Sequence, residues 1–260
     1  MSLNIVSSSA PAGSLGLKKL PALRPDGFFL RDYLRHAFPQ RGLEAQVNQF
    51  RTANLPHLWR GLRRVALAQA LKLPTHFGML HLAIIRPEGS GVEQLMADYI
   101  GLNNPLLSFP DFAAKQGLRF HRTFLGLASM RVVTTAGVNF LVDAFQNTTE
   151  LETFIYHAIG TGTTAENVSD TALETELTTE YIVNSTRATG SATEGASANI
   201  FRSVGTNTVD ASVAITEHAL MSQEAAGGGT AFDRSVFSAN NLTNGESLQT
   251  TYDGTFTAGS

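Results

Sequence analysis

The segment Gly160-Thr161-Gly162-Thr163-Thr164-Ala165 follows an apolar run that ends at Ile159. It fits G-x-G-x-x-[G/A], the loop pattern that opens a dinucleotide-binding fold. That fold also requires a helix at the loop, whose backbone N–H groups point at the pyrophosphate, and a parallel sheet. Here the residues after the loop form a weak helix pattern broken at Ser169-Asp170, and strand-length segments separated by turns follow. We therefore interpret Gly160 and Gly162 as a structural glycine loop, in which the glycines are needed for their backbone conformation, and keep a nucleotide- or glycan-binding module as a remote alternative.

The other residues that could do chemistry form no recognisable constellation. His76, His81, His157 and His218 lack the spacing of metal ligands, and Glu217 and His218 are adjacent in a strand pattern, which directs them to opposite faces. The chain has no cysteine and no G-x-S-x-G nucleophile motif. We predict no catalytic residue, no cofactor and no metal, and hence a protein that is not an enzyme.

A group of arginines gives a candidate surface for docking onto a partner. Arg60, Arg63 and Arg64 stand at i, i+3 and i+4, so they share one face of a predicted helix, and Arg51 precedes them. Clustered arginines can contact phosphates or an acidic protein surface. The alternatives are a plain solvated helix face and a contact with nucleic acid, for which the cluster is small and poor in lysine.

The charge of the chain is divided unevenly along its length. Residues 1–130 carry 15 of the 19 Lys and Arg residues but 7 of the 22 Asp and Glu residues, a net charge of +8, and residues 131–260 carry −11. Such a division predicts two modules that face different surroundings. No apolar run is long enough to span a membrane, and the N-terminus lacks the order of a signal peptide, so we expect a soluble protein made in the cytoplasm.

The residue patterns predict an α+β protein. We expect an extended N-terminal arm over residues 1–25, a basic and mainly helical anchoring region over 26–130, and an acidic antiparallel β-sandwich over 131–260. Within the second region, Phe77 to Ile85 reads as a buried strand, and Pro56 stands where a helix would start. The sandwich strands are predicted in "TFIYHAIG", "EYIVNSTRAT", "ANIFRSVGTNTV", "ASVAITEHALMS", "TAFDRSVFSA" and "ESLQTTYDGTFT", with a helix before them in "TTAGVNFLVDAFQNTTE".

Strings in the second half of the chain resemble a family of virion proteins of tailed bacteriophages. They are "VVTTAGVNFLVDAF", "YHAIGTGTTAEN", "DTALETELTTE", "AITEHALMS" and "FDRSVFSANNLTNGESLQTTYDGTFT". In that family, a G-T-G-T-T loop and a D-T-A-L-x-x-E-L segment precede I-T-E, D-R-(S/T)-V-F and G-(D/E)-S-L-Q-x-T-Y strands. All five occur here in that order over roughly residues 131–258, with Ala219-Leu220-Met221 where Gly-Val-Phe is more usual. Residues 1–125 lie outside the resemblance.

The resemblance implies a structural protein of the virion with a β-sandwich module. We expect a capsid decoration or cement protein that stabilises the head shell, and keep a tail, neck or baseplate component as the alternative. The implied partners are other virion proteins, either the major capsid protein or tail proteins. A homo-oligomer is also expected, because virion components follow symmetric lattices. The implied location is the virion, assembled in the host cytoplasm.

Overall fold

A computed structural model describes residues 38–70, 75–102, 106–130, 132–149 and 153–257. The predicted arm over residues 1–25 lies outside the described residues. The helices are α1 (Ala45–Ala70), α2 (Val92–Gly101), α3 (Phe109–Lys115) and α4 (Thr135–Phe145). The strands are β1 (Thr75–Glu88), β2 (Arg119–Met130), β3 (Val132–Val133), β4 (Tyr156–Gly160), β5 (Ala188–Thr189), β6 (Thr193–Glu194), β7 (Ile200–Thr208), β8 (Val213–Met221), β9 (Ala231–Leu242) and β10 (Ser247–Thr257). Among these helices, none is long and apolar enough to cross a bilayer.

The strands form two antiparallel sheets of five strands each. The first has the order β2-β1-β10-β7-β6, and the second has the order β3-β9-β8-β4-β5. Hydrophobic residues of both sheets meet in one buried cluster, which includes Leu82 and Leu248 from the first sheet and Ile159, Ile215 and Phe237 from the second. The predicted α+β class with antiparallel strands is confirmed.

The predicted division at residue 130 does not follow the sheets. β1 pairs with β10 without interruption from Thr75↔Thr257 to Ile85↔Ser247, and β2 pairs with β1. The region expected to be mainly helical therefore supplies two long strands to a sheet that the acidic half completes. The apolar run from Phe77 to Ile85 did predict a buried strand, but strand pairing across more than 160 residues carries no local signal.

Helix α1 lies against both β2 and β9. Its side-chain amide at Asn54 is fully buried, donates to the carbonyl of Ala128 in β2 and accepts a hydrogen bond of 3.1 Å from the Ser238 amide in β9. One residue thus joins the helix to both sheets. The helix was expected to begin at Pro56, but Pro56 lies inside it. The buried apolar stripe that starts at Val47 and Phe50 continues on the same side of the helix after Pro56.

The predicted strand over "EYIVNSTRAT" is wrong for most of its length, since only Ala188–Thr189 pairs as a strand. Its bulky residues turn inward instead. The Tyr181 hydroxyl, fully buried, accepts a hydrogen bond of 2.9 Å from the Ile159 amide. Burial is the main cause that raises the pKa of this phenol. The remaining predicted strands and the helix α4 are confirmed, with ends that differ by a few residues.

Candidate functional site

The glycine loop wraps around a carboxylate of the protein itself. β4 ends at Gly160, which pairs with Glu217 of β8. The Glu217 side chain is completely buried, and its Oε1 accepts hydrogen bonds from the amides of Gly162 (3.0 Å) and Thr175 (2.8 Å). Its Oε2 accepts another from the Glu174 amide at 3.1 Å. The loop amide that a phosphate would use in the dinucleotide-binding fold is therefore already bound to Glu217.

Gly160 and Gly162 leave the space that this carboxylate occupies. A Cβ on Gly160 would lie 2.4 Å from the Thr175 carbonyl oxygen, and one on Gly162 would lie 2.5 Å from Glu217 Oε1. Neither glycine has a positive φ. The prediction of a structural loop located these two residues, but the reason we expected, a special backbone conformation, is wrong, because what excludes a side chain is close approach.

Arg234 of β9 neutralises Glu217 from the other side. Its Nε donates to Glu217 Oε2 at 2.9 Å, its Nη2 lies 2.8 Å from the same oxygen, and its Nη1 donates to Asp170 Oδ2 at 3.0 Å. The Arg234 side chain is 3% exposed. Burial alone lowers the pKa of Arg234, but the bonds with Asp170 and Glu217 outweigh burial and raise it. The guanidinium therefore stays charged, and it needs these carboxylates because an unpaired buried charge is costly.

Glu174 completes the network at its exposed edge. Its Oε2 accepts from the Thr164 amide at 2.8 Å, and its Oε1 accepts from the Thr164 hydroxyl at 2.5 Å. The hydroxyl contact is the largest of the causes that lower the pKa of Glu174. A general base works best with a pKa near the working pH. The lowered pKa of Glu174 moves it away from that range, so this carboxylate is suited to holding the loop.

A shallow depression of about 350 Å³ adjoins this network. It is lined by Thr164, Ser169, Asp170, Thr171, Ala172, Leu173, Glu174 and Arg234. Within the part of the chain that the structure describes, no group of three or more His, Cys, Asp or Glu side chains is arranged to hold a metal ion. The charged groups that reach this depression are bound to one another, which is the arrangement of a structural network.

A second buried ion pair, between Arg187 and Glu176, fixes the loops around it. Arg187 binds Glu176 in a bidentate manner, at 2.5 Å and 2.8 Å, and its Nη1 donates to the carbonyls of Gln223 and Gly228. Its side chain is 1% exposed. The guanidinium is therefore well supplied with acceptors, and it ties residues 176–187 to the loop before β9.

Two histidines that the sequence left unconnected lie side by side. His157 Nδ1 is 2.9 Å from His218 Nε2, and both residues are completely buried. They are 61 residues apart in the chain, and no motif links them. Each histidine stands within an apolar strand pattern, and this was the only indication in the sequence that its ring faces the core.

The arginines of the predicted docking surface that the structure describes differ in their burial. Arg51 is 7% exposed, so it belongs to the interior. Arg60 is half-buried, donates to His57 Nδ1 at 2.6 Å and lies 3.5 Å from Glu166 Oε2. Arg63 is exposed, and the side chain of Arg64 lies outside the described part of the chain. A docking surface that includes Arg51 is therefore wrong, whereas a contact through Arg63 stays a prediction.

Helix α4 carries an exposed apolar ridge. Val138, Val142 and Phe145 stand at i, i+4 and i+7 and are 49%, 48% and 85% exposed. The side chains of Phe140 and Leu141 instead pack against a buried cluster under the helix. An exposed apolar ridge of this kind is typical of surfaces that contact other proteins.

Comparison of the chain with protein-family models, with curated proteins and with solved structures finds no match.

Proposed function

We propose that the chain is a non-enzymatic structural protein of a tailed-phage virion, in which it decorates the capsid and stabilises the head shell. A tail, neck or baseplate component is the alternative within the same class. We also propose that the fold is a β-sandwich, in which the two sheets pack face to face. The mixed core and the bonds of His157 to strands of the opposite sheet support this packing.

One observation carries the proposal. Four of the five strings that resemble the virion family contribute to a single buried network. The G-T-G-T-T loop supplies the Gly162 and Thr164 amides, D-T-A-L-E-T-E-L supplies Asp170 and Glu174, I-T-E supplies Glu217, and D-R-S-V-F supplies Arg234. A resemblance built from residues that depend on one another spatially is more specific than one built from scattered positions.

The same network argues against a catalytic use of the loop. Its amides and carboxylates bind one another, and the buried Arg187–Glu176 pair follows the same principle. Such a module resists loosening, which suits a protein that must stay folded on a particle. The exposed ridge of α4 offers a surface on which a neighbouring virion protein could be bound.

Purified virions from a host strain that produces this chain provide the test. We expect mass spectrometry to detect the chain in intact particles, and immunogold labelling to place it on heads. Labelling confined to tails would replace the decoration role by the tail alternative. Particles that lack the chain while the host expresses it would overturn both.

The remote alternative has its own measurement. Thermal unfolding with a panel of nucleotides and simple glycans should leave the midpoint unchanged, since Glu217 already occupies the Gly162 amide. A saturable increase in the midpoint with one of these compounds would favour a ligand-binding module instead.

A further inference from the structure

The buried histidine pair joins the two sheets. His157 belongs to β4 and His218 to β8, which are neighbours in the second sheet. The Nε2 of His157 lies 2.8 Å from Ser203 Oγ in β7, and its Nδ1 lies 2.7 Å from Thr250 Oγ1 in β10. Because β7 and β10 belong to the first sheet, one imidazole bonds to both sheets.

The strands around His157 leave the ring no room to move. A Cβ on Gly205 would lie 2.4 Å from His157 Cδ2, and one on Gly190 would lie 2.5 Å from His157 Nε2. These glycines bring the backbone directly against the ring. The ring can therefore change its contacts only if the strands separate.

The contact between the two rings limits how many protons they can hold. A single hydrogen fits between Nδ1 of His157 and Nε2 of His218 at 2.9 Å. One imidazolium beside one neutral imidazole satisfies this contact as a hydrogen bond. If both rings were protonated, two N–H groups would face each other, and two positive charges would be buried together. The folded protein thus accepts at most one of the two additional protons that the unfolded chain binds below about pH 6.5.

The charged groups on the neighbouring strands do not remove this conflict. Glu217 precedes His218 and points to the opposite face, where Arg234 binds it. Arg202 and Asp253 lie on the outer sides of β7 and β10 and bind each other at 2.7 Å. On β9, Asp233 lies two residues from Ser235, the residue paired with His218.

One carboxylate and one further histidine lie near the pair on these strands. Asp233 points to the same side as His218, and its charge partly offsets the lowering of the His76 pKa by burial. His76, over Tyr252 of β10, has a pKa lowered chiefly by burial and is another neutral ring at neutral pH. In the first sheet, the hydroxyls of Ser203 and Thr250 lie at hydrogen-bond distance from the His157 ring, and Asn207 donates to the His157 carbonyl.

We propose that the His157–His218 pair is an acid-sensitive joint, at which β4 separates from its neighbour β8 when both rings become protonated. The second sheet would then open between β4 and β8 before the rest of the fold is lost. The module would then be stable at neutral pH and would open locally in an acidic compartment.

Urea unfolding of the full chain between pH 7.5 and pH 4.5 tests the joint. His218→Gln keeps a hydrogen-bonding side chain of similar length that does not titrate. Below about pH 6, the unfolding equilibrium constant of the wild-type chain should rise by up to about tenfold more per pH unit than that of His218→Gln, because one fewer proton is coupled to unfolding in the variant. His121→Gln, at a position that is half exposed, is the matched control and should keep the wild-type slope. A His218→Gln slope equal to that of the wild type would overturn the proposal.

Hydrogen exchange of the wild-type chain tests the proposal even if His218→Gln fails to fold. After correction for the intrinsic pH dependence of exchange, the amides that pair β4 with β8 should lose protection at a higher pH than amides of β1 and α1. Loss of protection at one common pH throughout, or none down to pH 4.5, would contradict a local joint.

Discussion

Replacement of Glu217 tests whether the glycine loop is held by the protein's own carboxylate. In Glu217→Gln, the shape of the side chain is kept, but the charge opposite Arg234 is lost, and one of the two acceptor oxygens becomes an NH₂ group. That group would face backbone N–H donors that now bind Glu217 at 2.8–3.1 Å. The variant therefore loses both an ion pair and acceptor capacity.

The expected loss is about 3 kcal/mol of the free energy of unfolding. Breaking a buried ion pair by removing one partner costs about 3–5 kcal/mol. The lower end applies because Asp170 remains bound to Arg234 at 3.0 Å. For a chain of this size, such a loss lowers the midpoint of thermal unfolding by about 6–12 °C.

Urea unfolding monitored by circular dichroism measures this loss, with Glu194→Gln as the control. Glu194 lies on the exposed edge strand β6, so its replacement should change the free energy of unfolding by no more than about 0.5 kcal/mol. A loss below about 1 kcal/mol in Glu217→Gln would refute the argument. So would strict additivity with Arg234→Met, because two groups in direct contact should show a coupling energy of about 1 kcal/mol or more.

Three other outcomes follow from the same structure. Gly162→Ala should destabilise the chain by about 1–3 kcal/mol in urea unfolding, because its Cβ would overlap Glu217. The control is Gly89→Ala: the space around Gly89 is open but its φ is positive, so this variant reports the cost of backbone strain alone. Burial and then the charge of Arg60 lower the pKa of His57 to about 4, so its neutral form stabilises the fold above about pH 6.5 and this contribution is lost as the pH falls toward 4. His57→Gln should therefore show a shallower loss of stability over that range, by about 1 kcal/mol at most, since the ring is partly exposed, and an unchanged pH profile would contradict this. Phe145→Asp should leave the thermal midpoint within about 2 °C of the wild type, because the ring is 85% exposed, but should reduce incorporation into particles; wild-type incorporation would exclude the α4 ridge as a contact.

Much of the fold could be predicted from the sequence because periodicity is a local property. Strand-length apolar or alternating segments located β1, β4 and β7 to β10, and apolar residues at helical spacing located part of α1. Where prediction failed, a long-range contact prevailed over the local pattern. Residues 180–187 have a strand-like composition, but Tyr181 and Arg187 turn inward and bond to Ile159 and Glu176. These contacts fix the backbone of the segment in a conformation that is not a strand.

The candidate site could be predicted only in part. The glycine pattern marked Gly160 and Gly162 as structural. The weak helix pattern after them predicted that no dinucleotide-binding helix starts at the loop, and residues 161–175 indeed contain no helix. What binds the loop could not be read from the sequence, since Gly162 and Glu217 are 55 residues apart. Likewise, the spacing of the arginines gave no sign that Arg51 would be buried.

The sequence by itself determined β1, β4, β7 to β10 and α4, the uneven charge and the glycine loop, because each of these depends on residues close together in the chain. The tertiary structure decided which distant groups meet: Glu217 with Arg234 and Gly162, and His157 with His218 and Thr250. It also decided that β1 and β2 join the sheet of the acidic half. Burial creates these partnerships, because a polar group removed from water must find another polar group, and only the folded chain shows which one lies within reach.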